Sequence, residues 1–186
     1  MRGRIGPRSV VASAVGIGLP HAAVGATVRI GEAKPGAVVL VGTCGAYAGA
    51  GLGVGDVVVA RRVRLVDPAV VQGAAQFPDP MSLTCDTDPS LLAGLASAGA
   101  SVADVATTMA VTVDDAVAQR LGASGAQVEH LEAHGVATAA AQFGVPFAAV
   151  LGVANIVGSR AREEWRQHHR AAADAAVQRV VSWLLA

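Results

Sequence analysis

Two carboxylates, Glu129 and Glu132, stand just before a run of small residues, and an amide, Asn155, closes the apolar run that follows. An acid at the start of one helix and an amide at the end of the next strand can hold a polar small molecule between them. The carboxylate accepts hydroxyl hydrogens and favours positive charge, while the amide both donates and accepts. A capping Glu and a turn Asn account for the same residues, and for the residues alone that plainer use is the commoner one. Glu129, Glu132 and His134 lack a recognised metal spacing, so no metal site is assigned. Cys44 sits beside glycines with no base fixed near it, which fits a small buried thiol better than a nucleophile. His168 and His169 fall beside Arg166 and Arg170 on an exposed helical stretch.

Such residues need a scaffold that brings them to one place. Residues 36–43 are apolar throughout, which predicts a central, parallel strand. Further strands are expected over 56–66, 103–112, 128–131 and 146–154, and a short buried one over 9–15. Helices are expected over 21–34, with Pro20 suited to the first turn, and over 90–98, 113–121, 132–142 and 160–185. Strands alternating with helices predict an α/β fold, a central mixed sheet with helices on both faces, in one domain spanning 1–186. Residues 67–89 carry four prolines and no strong period, and read as an excursion loop. Residues 43–55 are rich in glycine but do not form GxGxxG; such a loop lets backbone N–H groups approach a ligand closely. Arg61, Arg62 and Arg64 make either a local positive patch or a solvated strand end.

The chain has 186 residues, of which 53% are hydrophobic and 15% charged, enough apolar surface to predict a homo-oligomer. Fourteen basic residues balance 14 acidic ones, with no basic tract or aromatic series, which excludes nucleic acid as the main partner. Two cysteines make no disulfide framework, so a reducing, cytoplasmic setting is expected. Gly16, Gly18 and Pro20 interrupt the apolar stretch near the N-terminus, which argues against a signal peptide. Residues 35–55 are uncharged, but seven glycines among them argue against a membrane helix, and no membrane partner is expected.

In Gly16-Ile17-Gly18, in Val41-Gly42-Thr43-Cys44-Gly45-Ala46 leading to Val54-Gly55-Asp56, in Val128-Glu129-His130-Leu131-Glu132-Ala133, and in Val145-Pro146-Phe147 through Val153-Ala154-Asn155, the chain resembles the purine nucleoside phosphorylase / nucleosidase superfamily. Their order covers nearly the whole chain. Residues 155–165 look most like futalosine hydrolases, which release hypoxanthine. The resemblance implies a nucleoside phosphorylase-like three-layer sandwich, N-terminally shortened by the family's first strand, acting on a purine nucleoside without a cofactor. It implies that Glu132 accepts the ribose hydroxyls and favours the charge developing on the sugar. Asn155 matches the residue that reads the purine, Asn in 6-oxo and Asp in 6-amino enzymes. Leu131 matches a methionine under the sugar; Thr43, Cys44 and Gly45 match the loop beside the ribose; Val111, within residues 109–111, matches residues against the base.

The chain departs from that pattern at three places. Residues 1–8 hold no acid, so the family's water-activating glutamate has no counterpart among them. Leu40 stands where hexameric phosphorylases carry a phosphate-binding arginine, which disfavours phosphorolysis relative to hydrolysis. His130 stands where some nucleosidases carry a second acid; it binds a hydroxyl, acts as a base, or is a satisfied structural histidine, the last being the commoner use. The expected function is N-glycosidic hydrolysis of a 6-oxopurine nucleoside. A nucleoside-binding relative without turnover and a phosphate-dependent phosphorylase that borrows its arginine from a neighbouring subunit, with Arg61 or Arg62 the local candidates, are the alternatives.

Overall fold

The computed structural model of the chain describes residues 1–97 and 99–186. It opens with a hairpin, β1 (Arg2–Ile5) against β2 (Arg8–Val11), with Arg2 opposite Val11. A buried strand over 9–15 is not what forms: pairing stops at Val11 and most of the hairpin is exposed. Arg2, Arg4 and Arg8 fit this, because a charged guanidinium is costly to bury. The hairpin lies at the surface with the Arg8 guanidinium 4.8 Å above the Trp183 ring.

After it come α1 (Leu19–Ala33), β3 (Val38–Ala46), β4 (Val57–Leu65), α2 (Pro68–Val71), β5 (Thr84–Asp86), α3 (Pro89–Ala96) and β6 (Ser101–Thr107). The chain continues as α4 (Asp115–Ala123), β7 (Val128–His130), α5 (Ala133–Gln142), β8 (Phe147–Ile156) and α6 (Ala161–Leu185). The expected excursion loop thus contains one short helix, capped by Asp67 on the Ala69 N–H, and one short strand paired with β4. The helix expected over 90–98 is α3; Ala98 lies outside the described residues.

The strand order is β5-β4-β6-β7-β3-β8, and β4 also pairs with β8, so five of the strands close into a barrel-like ring. β3 runs parallel to β8 along its full length and meets β7 antiparallel at Gly45 and Ala46. β4 is parallel to β6 and antiparallel to β5 and β8, which makes the sheet mixed. β8 is buried at every position up to Asn155 because it serves two cores. Ala149, Leu151 and Val153 pack with α1 and α5, whereas Ala148 and Val150 pack with α3 and α6. A strand covered on both faces has no polar alternation, which is why its sequence reads as one apolar run.

The small residues of α5 set its distance from α1. A Cβ on Gly135 would lie 2.8 Å from the Leu19 carbonyl oxygen, so the two helices approach at a distance only glycine permits there. The residue before the first turn of α5 is Glu132. The third core, with Tyr47, Ala106, Leu121 and Val157, lies under α4.

Candidate functional site

Strand register lines up the candidates. Ala106 of β6 lies opposite Glu129 of β7, Glu129 opposite Gly45 of β3, and Gly45 opposite Asn155 of β8. The β3–β8 register shifts between Cys44 and Gly45, an irregularity of the kind that re-aims side chains near sites. Asn155 is only 7% exposed, and its Nδ2 donates to the Ile156 carbonyl at 3.1 Å. Among the described residues the other amide hydrogen and Oδ1 make no hydrogen bond. A Cβ at position 45 would stand 2.7 Å from Asn155 Nδ2 and 2.8 Å from Val157 Cγ2, so glycine is what lets Asn155 lie across β3.

Glu132 follows the end of β7 and keeps its side chain 17% exposed. Its Oε1 accepts the Gly18 N–H at 2.7 Å, which ties the segment before α1 to the start of α5. Its Oε2 lies 3.3 Å from His130 Nδ1. That approach has ion-pair geometry, yet Nδ1 accepts the backbone N–H groups of Glu132 and Ala133, each at 3.1 Å. A nitrogen that accepts two N–H bonds carries no proton, and burial holds the His130 imidazole below its usual pKa against the opposing pull of Glu132. His130 is therefore neutral and caps the first turn of α5, with Nε2 over Gly42. Its acceptor nitrogen is fully used by the backbone, so Nδ1 has nothing to offer a sugar hydroxyl.

Of the remaining expected residues, Thr43 is partly buried and its Oγ1 accepts the Trp165 indole N–H at 3.1 Å. Trp165 in turn stacks on His169 with ring centroids 4.3 Å apart. Cys44 turns its thiol into the core beside α1 and α5, where burial pushes its pKa far above the usual thiol range. It stays protonated and inert, and only its backbone can face a ligand. Leu131 is half-buried between His130 and Glu132. Val111 is half exposed and lines a cleft of about 400 Å³ with Met109, Thr112, Asp67, Pro68 and Val117.

Glu129 has a different fate. Its Oε1 accepts the Thr112 N–H at 3.0 Å, and its Oε2 accepts the Thr112 hydroxyl at 2.6 Å and the Tyr47 hydroxyl at 3.2 Å. Burial and the nearby Glu129 push the Tyr47 phenol well above its usual pKa, so it stays a donor. Arg61 and Arg62 are also engaged, Arg61 with Asp104 at 2.8 Å and Arg62 with Asp86 across the β4–β5 pair. Arg64 donates to the Ser124 carbonyl at 3.0 Å.

Sequence reasoning did not assign Gly18, Trp165 or the Glu129–Thr112–Tyr47 cluster a role in the site's geometry. Gly18 and Trp165 lie within stretches that carried the resemblance, which was a usable signal. The partners of Glu129 are separated from it by up to 82 positions, and no local pattern joins them.

The sequence profile of the phosphorylase superfamily matches residues 1–186. No curated protein sequence matches the chain. Solved structures similar to it include the S-adenosylhomocysteine nucleosidase of Streptococcus pyogenes in complex with 5-methylthiotubericidin. That pair shares 23% identity over 99% of this chain and 82% of the other, with a TM-score of 0.87. A 5′-methylthioadenosine/S-adenosylhomocysteine nucleosidase from Colwellia psychrerythraea in complex with adenine aligns at 23% identity over 98% and 80% of the two chains, TM-score 0.86. A futalosine hydrolase mutant of Helicobacter pylori aligns at 18% identity over 98% and 83%, TM-score 0.87.

Proposed function

Because the chain belongs to the phosphorylase superfamily, we propose that it hydrolyses the N-glycosidic bond of a purine ribonucleoside, with a 6-oxopurine nucleoside such as futalosine preferred. The observation that carries this reading is the row that sets Asn155 beside Gly45, with the partly open Glu132 just beyond the end of β7. As the bond from C1′ to the base nitrogen breaks, its electron pair leaves with the base and positive charge grows on the sugar. Glu132, held by the Gly18 N–H, accepts the ribose hydroxyls and stabilises that charge, while water oxygen adds to C1′ and the proton that water gives up neutralises the departing base. Asn155 offers an N–H and Oδ1 to the purine edge, a neutral pair matched to a 6-oxo group and an adjacent ring N–H. Thr43, Gly45 and Leu131 border the sugar, and Val111 faces the base.

Hydrolysis is favoured over phosphorolysis by Leu40 and by the arginines of β4. Arg61 and Arg62 are each committed to a carboxylate, which leaves neither ready for phosphate. A nucleoside-binding protein without turnover is the second reading. It is favoured by the engagement of Glu129, which is buried and already accepts from three donors, an arrangement unsuited to activating water. The exposed apolar residues Ile17, just before α1, and Val24 and Val28, one turn apart on it, support a homo-oligomer, and sedimentation of a monomer at micromolar concentration would contradict it. Two free cysteines fit a reducing, cytoplasmic setting. Among the described residues no helix is long and apolar enough to cross a membrane.

The deciding test is release of hypoxanthine from inosine and futalosine with and without phosphate, for the protein and for Glu132→Gln and Asn155→Asp. Phosphate-independent release that is lost in Glu132→Gln establishes the hydrolase. Binding without release selects the second reading, and a rate that requires phosphate selects a phosphorylase.

A further inference from the structure

We propose that Glu129 is a positioning residue: it fixes the wall of the cleft formed by residues 108–114 and thereby sets purine affinity without touching the ligand. The proposal rests on the nucleosidase reading for its ligand, which puts Val111 of this wall against the base, and on geometry for the rest; Glu132 and Asn155 lie outside the residues that line the cleft. β6 ends at Thr107, and the chain then runs through Thr108, Met109, Ala110, Val111, Thr112, Val113 and Asp114 before α4 begins. These residues line the cleft of about 400 Å³, and Met109, Val111 and Val113 present apolar side chains at its surface. A segment of this length without secondary structure needs anchors to hold one shape.

It has two. At its far end Asp114 caps α4 through the Val117 N–H at 2.9 Å, and Asp115 accepts the Ser159 N–H at 2.7 Å and the Ser159 hydroxyl at 3.0 Å. In its middle, Thr112 gives both its N–H and its hydroxyl to Glu129. Glu129 is itself held by β7, between Ala106 of β6 and Gly45 of β3, and is 7% exposed. The Tyr47 hydroxyl occupies part of its second oxygen and orients it. One carboxylate in the row of Gly45 and Asn155 therefore transmits the position of the sheet to the cleft wall. Charge-assisted bonds to a backbone N–H and a hydroxyl, in a buried place, are suited to that role.

The test compares Glu129→Ala, Glu129→Gln and Thr112→Val by three readouts: steady-state hydrolysis of inosine, equilibrium binding of hypoxanthine, and amide hydrogen exchange across residues 107–114. In Glu129→Ala, loss of the two Thr112 bonds is expected to raise KM and the hypoxanthine Kd by about tenfold, with kcat changed by less than about threefold. Exchange should accelerate in residues 107–114 and not in β3 or β8. Glu129→Gln keeps an oxygen for the Thr112 N–H, and the two hydroxyls can rotate to accept from its amide, so it should restore most of the affinity. Thr112→Val removes the hydroxyl bond alone, keeps the shape, and should give an intermediate KM; it carries the test should the Ala variant not fold. An unchanged KM and unchanged local exchange in Glu129→Ala overturns the proposal. So does a fall in kcat with KM intact, which would place Glu129 in the chemistry. If the unaltered protein does not turn inosine over, the nucleosidase reading fails, and hypoxanthine binding with local exchange still decides the role of Glu129.

Discussion

Glu129 lies inside β7, where Tyr47 and Thr112 use both of its oxygens, whereas Glu132 stands past the strand's end with one oxygen on the Gly18 N–H and the other beside a neutral histidine. The two carboxylates are close in sequence, yet one is a fixture of the fold and the other remains available. The difference arises from the switch of backbone between them. An alternating strand turns Glu129 toward the core under α4, and the start of α5 turns Glu132 toward the segment before α1. A buried acid is tolerated when its lone pairs are filled, and an acid that must meet a ligand needs some left open.

The largest expected effect separates the two directly. Glu132→Gln should reduce nucleoside hydrolysis by roughly 10²–10³-fold, the usual consequence of removing a group aimed at developing charge, while the amide oxygen still accepts the Gly18 N–H and keeps the fold. Glu129→Ala should instead lower the unfolding free energy by about 1–3 kcal/mol, because the Thr112 N–H loses its buried acceptor. Urea unfolding beside hydrolysis rates checks both. Equal stability losses in the two variants, or equal rate losses, would erase the distinction.

Gly45→Ala comes next and acts on the far end of the row. Its methyl would stand 2.7 Å from Asn155 Nδ2 and 2.8 Å from Val157 Cγ2, so the amide must move off β3. Overpacking of this kind costs about 1–3 kcal/mol of stability. The purine should also bind more weakly, by a factor that hypoxanthine titration reads. If binding is unchanged, Asn155 does not contact the base through the face that lies on Gly45.

These contrasts bear on what the sequence could tell. β4, β7, β8, α5 and α6 were legible because apolar runs and small-residue periods report burial directly, and burial decided them. β6 was expected to reach Thr112 but ends at Thr107, where its pairing with both β4 and β7 runs out. The hairpin and β5 depend on partners far along the chain or on charges that keep a strand in water, and neither leaves a local period. Within the site, residue types suggested Glu132 and Asn155, and the resemblance supplied their roles. His130 shows the limit: its residue type and neighbours do not tell that Nδ1 meets the backbone N–H groups two and three residues ahead.

The smallest effect concerns that histidine and pH. Burial lowers the pKa of His130 in the folded chain, as it does for His134, so the folded state keeps both rings neutral where the unfolded chain takes up protons. Their contribution to stability is complete above the unfolded histidine value near 6.5 and is lost as pH falls below it. Protonating Nδ1 would also break the cap on α5, which ties the titration to the position of Glu132. His130→Asn places an amide oxygen where Nδ1 accepts, so it should hold the cap, whereas His130→Leu should cost about 1 kcal/mol at neutral pH. Between pH 6.5 and about 5, before most carboxylates titrate, the Asn variant should lose stability less steeply, by up to about 1.4 kcal/mol per pH unit. Urea unfolding of the protein and of His130→Asn at several pH values in that window measures the difference. Parallel slopes would mean that His130 takes a proton without leaving the fold, and Glu132 would then face a cation instead of a neutral cap.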